Sequence, residues 1–156
     1  FFDPANGYQL RFQVIEAGQT YEAENLSFLP VEAIHGPVKG YSYSFIIERD
    51  GKRLLYALDT GGFEEQWQEI IDRYQYDAVV TELTCGYRKV NRPGHMNHEK
   101  VITFRDHLLS KGCIRQDTPV FLTHFSPHWN PPHDLLAPVL HEEGFTAAYD
   151  GMTAEI

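Results

Sequence analysis

The sequence is short of several things, and each shortage excludes a class of protein. No apolar run in its 156 residues approaches the roughly 20 needed to span a membrane, and no secretory leader is visible. Two cysteines, Cys85 and Cys113, are too few for a disulfide scaffold or for a zinc site built of four thiolates. We read them as free thiols in a reducing, cytoplasmic compartment. Basic residues are scarce, 13 Lys and Arg against 22 Asp and Glu, for a net charge of −9. With no Lys/Arg cluster, this argues against long nucleic acid as a partner, because phosphate backbones are held by gathered positive charge. Internal repeats and low-complexity tracts are absent, and no Cys-His-Asn or Ser-His-Asp constellation points to covalent catalysis. There is no Met at position 1. A chain opening Phe1-Phe2-Asp3-Pro4 reads as one cut from something longer.

What is present is an ordinary globular composition, 42% hydrophobic and 13% aromatic, in one domain's worth of chain. The 8 histidines stand out, five of them between His95 and His128. Residues 8–15 alternate enough to predict a strand, and 26–34 predict another, with Pro30 demoting its first part. Two apolar runs, 41–47 and 53–58, flank Asp50-Gly51, a strong hairpin signal because that dipeptide supplies the positive φ angles of a tight primed turn. Residues 63–74 follow helical spacing, with Phe63, Trp67, Ile70, Ile71 and Tyr74 on one face. A buried-type strand follows at 77–83, then a polar loop. Asn97 is placed to cap a helix ending at Gly112. A short strand at 118–122 leads into a loop crowded with His, Pro and Trp. A helix near 134–143 is interrupted or started by Pro138, and a last strand pair, 145–149 and 152–156, surrounds Asp150-Gly151. This order predicts an α/β layered domain.

The polar chemistry gathers at strand ends, where α/β folds place ligands. Three signals stand there: Ile34-His35-Gly36, Leu58-Asp59-Thr60-Gly61 and Leu122-Thr123-His124. Histidine nitrogen and aspartate oxygen are common zinc ligands, and a hydrolytic metal site needs them on rigid elements. Singly, each has a plainer reading: His35 as a hydrogen-bonded structural residue, Asp59 as a turn former, His124 as a partly buried histidine. Their joint occurrence in this order is what points to a site.

The ordered set resembles the C-terminal half of the metallo-β-lactamase-fold hydrolases. It is most similar to the PhnP-type phosphodiesterases, with the tRNA-processing ribonuclease Z group as a cousin. The matching pieces are His35-Gly36 with Gly40-Tyr41, Leu58-Asp59-Thr60, Asn97-His98, Leu122-Thr123-His124 with Ser126, and Tyr149 to Met152. The resemblance implies half of an αββα sandwich, a mixed sheet covered by helices. It implies His35, Asp59 and His124 as metal ligands, with Asp59 shared between two divalent ions, zinc or manganese, that activate water. It implies His98 as a catalytic residue that donates a proton to the leaving oxygen or stabilises phosphoryl charge. Apart from the resemblance, His98 reads as a solvent-exposed histidine opening a helix. Glu82 and Asp150 are candidates to orient a ligand histidine, equally readable as ordinary carboxylates. His128 lies near a position where some relatives hold a structural zinc. His95, in the loop before His98, is placed to approach the substrate but reads more readily as a solvated loop residue.

One departure is large. The family signature His-x-His-x-Asp-His, which supplies the remaining ligands, does not occur in this sequence. Residues 1–156 are therefore expected to be the C-terminal portion of such a domain, with the other half in cis or on a second chain. A bare half is expected to expose the sheet face that should meet it. For the parent protein the expected function is hydrolysis of a small phosphodiester substrate by metal-activated water, long RNA being disfavoured by the charge. The alternatives are a thioester or lactone hydrolase on the same fold, a tRNA 3′-end endonuclease, and an inactive fragment or ligand-binding relative.

Overall fold

The computed structural model describes residues 12–37, 39–89 and 93–156. Among these residues, one seven-stranded mixed sheet carries three helices, and its strand order is the chain order. β1 (Tyr21–Ala23), β2 (Leu26–Glu32), β3 (Tyr43–Arg49) and β4 (Lys52–Ala57) form an antiparallel meander. β5 (Ala78–Glu82), β6 (Val120–Thr123) and β7 (Thr146–Ala147) then add in parallel. The connections are α1 (Glu65–Ile71), α2 (His98–Ser110) and α3 (His133–Glu142). Parallel crossovers are right-handed. Three in succession, each stepping the same way along the sheet, therefore lay all three helices on one face.

That face holds the core. Leu55, Ala57, Val79, Val120 and Leu122 are buried with Ile71 of α1, Val101, Phe104 and Leu108 of α2, and Leu136 and Leu140 of α3. The side chains that alternate with them, Leu54, Tyr56, Val80 and Phe121, are partly exposed on the opposite face. They line a shallow cavity there together with Met152, Ala154 and Ile156 of the C-terminal tail.

The locally encoded features stand where the sequence places them. Asp50 (φ 52°) and Gly51 (φ 76°) make the β3–β4 turn, and the Asn97 side chain accepts the Lys100 backbone N–H at 3.0 Å to cap α2. Other expectations are corrected. Residues 12–15 form no strand, and Phe12 and Val14 lie almost fully exposed; residues 8–11 lie outside the described residues. Pro30 does not weaken β2. It pairs opposite Phe45, and its carbonyl accepts from the Gly18 N–H, so its missing donor faces away from β3. Helix α3 runs through Pro138 rather than starting or breaking there. The last strand is two residues long, and residues 152–156 lie as a tail on the open face instead of forming a strand.

Candidate metal centre

Three neighbouring strands end at one place. Asp59 follows β4 by two residues, Glu82 is the last residue of β5, and His124 follows β6 directly. Asp59 (φ 46°) and His124 (φ 56°) both adopt the left-handed conformation. That turns the chain sharply at the strand end, and Asp and His tolerate it better than most residues. The fourth member, His95, comes from the loop before α2. This loop is held down by Met96 N–H donating to Glu82 Oε2 (3.2 Å) and by Cys85 N–H donating to the Met96 carbonyl. Two glycines permit the approach. A Cβ on Gly61 would stand 1.7 Å from the Pro93 carbonyl oxygen, and one on Gly94 would stand 2.9 Å from the Gly36 nitrogen.

Asp59, Glu82, His95 and His124 place one potential ligand atom each within 4.8 Å of one another. His124 Nε2 and Asp59 Oδ1 stand 3.3 Å apart. Glu82 is completely buried and its carboxylate is saturated. Oε1 accepts Thr60 N–H at 2.7 Å, and Oε2 accepts Met96 N–H and the Thr84 hydroxyl. His95 Nδ1 donates to the same carboxylate at 3.1 Å. With four donors around it, Glu82 is left to orient its neighbours rather than to bind an ion itself.

The sequence-derived candidates are distributed as follows. Asp59, Glu82 and His124 are together in the cluster. His35 is not one of the four, but its ring meets that of His95 edge-on at 4.8 Å, and its Nδ1 contacts the Gly94 carbonyl at 2.9 Å, leaving Nε2 available. It is brought there because Ile34 pairs with Gly61 and Gly62 through two backbone hydrogen bonds. His98 is not in the cluster. It opens α2, its Nε2 lies 2.7 Å from Glu143, and Tyr87 stacks on its ring at 4.3 Å. His128 and Asp150 are exposed, and the ring of His128 lies beside Trp129. The sequence favours a solvated loop position for His95 and marks Thr84 only as a polar residue after a strand; the structure puts both at the site. The trace that could have found His95 is the Pro93-Gly94-His95 run, a close-packing glycine directly before a histidine.

A family model described as the beta-lactamase superfamily domain matches residues 1–125. The chain belongs to this family. Its fold recurs in solved structures. One is a diphosphatase of the PhnP family, at 20% identity over 86% of this chain and 44% of that one, TM-score 0.59. Another is zinc-bound PqqB from Methylobacterium extorquens, at 19% identity over 92% and 55%, TM-score 0.60. A third is an isothiocyanate hydrolase from Delia radicum gut bacteria, at 13% identity over 92% and 59%, TM-score 0.63. The likeness is one of fold, and the chain spans about half the length of these proteins. No curated protein matches the sequence.

Metallo-β-lactamase folds are typically metal-dependent hydrolases that bind divalent ions, and the donor set fits one. Ligand bonds of about 2.0–2.1 Å in a tetrahedron leave edges of about 3.4 Å. The 3.3 Å between Asp59 Oδ1 and His124 Nε2 matches that edge. His35 and His124 each have Nδ1 engaged and Nε2 open, the arrangement metal-binding imidazoles adopt. Among the described residues no helix is long and apolar enough to cross a membrane.

Proposed function

We propose that this chain carries the Asp59–His124 side of a metal-dependent hydrolase that cleaves a small phosphodiester. The observation that supports it best is the convergence of Asp59, Glu82, His95 and His124 at the ends of three adjacent strands. Asp59, His124 and His35 would hold the divalent metal, zinc or manganese, two ions if Asp59 is shared. A bound ion supplies Lewis-acid charge and lowers the pKa of water. The remaining ligands are proposed to come from further chain, in cis or as a second polypeptide.

The chain's own residues then have separate tasks. Asp59 contributes the one exposed carboxylate of the cluster and therefore its anionic ligand. Glu82 holds His95 by Nδ1, so the opposite ring nitrogen is left to give a proton to the leaving oxygen, and the buried carboxylate stabilises the imidazolium. His98, held by Glu143, is the other candidate for that proton. The net charge of −9 favours a small diester over long RNA. It does not exclude a carbonyl substrate, since activated water also attacks thioesters and lactones.

The test is hydrolysis by the full-length protein, loaded with zinc or manganese, of bis(p-nitrophenyl) phosphate beside a lactone and a thioester. Cleavage of the diester alone, lost with a chelator and lost in Asp59→Ala, is the expected result. Cleavage of the lactone or thioester alone overturns the substrate class. No cleavage and no metal uptake overturn the hydrolase reading in favour of an inactive relative.

A further inference from the structure

We propose that Thr84 is a positioning residue: its hydroxyl fixes the tautomer of His124 and so presents Nε2 to the centre. The proposal rests on the hydrolase reading only for what His124 serves once positioned. Thr84 lies two residues beyond the end of β5, nearly buried, and its Oγ1 has two partners. One is Glu82 Oε2, at short range, and the other is His124 Nδ1 at 2.8 Å. A hydroxyl has one proton and two lone pairs, whereas an ionised carboxylate only accepts. Glu82 already takes Thr60 N–H, Met96 N–H and His95 Nδ1–H, so it stands as the acceptor for Thr84 as well. The single hydroxyl proton is therefore spent on Glu82. Thr84 is left to accept, and the atom facing it must be a donor, which makes His124 the Nδ1–H tautomer.

The consequence lies on the other side of the ring. With its proton on Nδ1, a neutral imidazole carries its lone pair on Nε2, the atom that stands 3.3 Å from Asp59 Oδ1. Had Thr84 been an apolar residue of the same shape, the Asp59 carboxylate would be left to draw the ring proton to Nε2, where it would oppose any cation. One buried carboxylate thus orients two histidines, His95 directly and His124 through the threonine.

Two readouts test this on the full-length protein. The first is the long-range proton–nitrogen NMR spectrum of the histidine rings, taken without metal and at a pH where they are neutral. The second is zinc affinity by competition with a chromophoric chelator. We expect wild type and Thr84→Ser to show His124 as the Nδ1–H tautomer. We expect Thr84→Val to lose it and to bind zinc about 10–100-fold more weakly, the usual cost of removing a partner behind a ligand. An Nε2–H tautomer in wild type, or a Thr84→Val protein with tautomer and affinity unchanged, overturns the proposal. If Thr84→Val does not fold, the wild-type spectrum decides alone. A wild-type protein with the expected tautomer and no zinc binding would overturn the hydrolase reading and leave the tautomer assignment standing.

Discussion

Replacing Glu82 by glutamine keeps the shape of the most heavily bonded side chain in the cluster and changes one acceptor into a donor. If the amide nitrogen takes the Oε1 position, it faces the Thr60 N–H, which is fully buried and now 2.7 Å from a donor. If it takes the Oε2 position, it faces the Met96 N–H, and the Thr84 hydroxyl must turn around. Either way a buried backbone donor loses its acceptor, at about 1–3 kcal/mol, and the bond from His95 loses its charge assistance, falling from about 1.5–3 to about 0.5–1.5 kcal/mol. The sum is about 2–4.5 kcal/mol, a large part of the 5–15 kcal/mol typical of a domain. Urea unfolding of the metal-free protein measures it, as a lower midpoint with an unchanged m-value. Glu82→Gln within about 1 kcal/mol of wild type would refute the assignment of Glu82 as the hub of the cluster, because a saturated buried carboxylate cannot lose its charge and an acceptor so cheaply.

Three further perturbations separate the parts. His95→Ala is expected to lower kcat on a phosphodiester by about 100-fold, the lower end for a positioned proton donor, and His98→Ala by less than about threefold; the reverse order returns the role to His98. Gly61→Ala places a methyl 1.7 Å from the Pro93 carbonyl oxygen, and backbone cannot yield as a side chain does. It should destabilise by about 2–4 kcal/mol, and a thermal midpoint equal to wild type would show that the two loops are not packed together. Asp77, whose carboxyl accepts the Arg53 N–H at 2.9 Å and then the Lys52 amine, is held below its usual pKa of 3.8. A depressed pKa gives stability that is present above the unfolded value and is lost as pH falls through the folded one. Asp77→Asn should therefore be less stable than wild type near neutral pH, with the difference shrinking below about pH 4; a difference constant across acid pH would disprove the linkage.

The parts of this fold that are encoded locally were legible. The Asp50-Gly51 hairpin, the Asn97 cap and the three strands ending in chemistry each depend on a few adjacent residues, and Asp59 and His124 could be picked out because they interrupt apolar runs at turns. What escaped depends on distant contacts. His95 looks like a solvated loop residue until Met96 anchors its loop to Glu82 and the loop packs past Gly61, more than 30 positions upstream on the chain. Thr84 looks like any threonine after a strand until β6 brings His124 against it. Residues 12–15 have the composition of a strand but form none, since alternation specifies a face but not a partner. His98 was singled out by resemblance. Nothing in its spacing could say whether it would turn toward Glu82 or toward Glu143.

The sheet's plain strand order has a consequence for how the centre comes into being. Every strand pairs with the one made just before it, so the sheet can grow by single additions without threading a later strand between two earlier ones. Such neighbour-to-neighbour topologies close short loops first. During synthesis Asp59 is in place when β4 joins the hairpin, Glu82 when β5 docks, and His124 only when β6 closes against Glu82. Until then the buried carboxylate has no His124 to orient, and the nascent chain is a poor metal ligand. Competence would arrive as a late, single event. Pulsed hydrogen exchange during refolding would show it as protection of the β3–β4 hairpin ahead of β6, and simultaneous protection of all strands would rule it out.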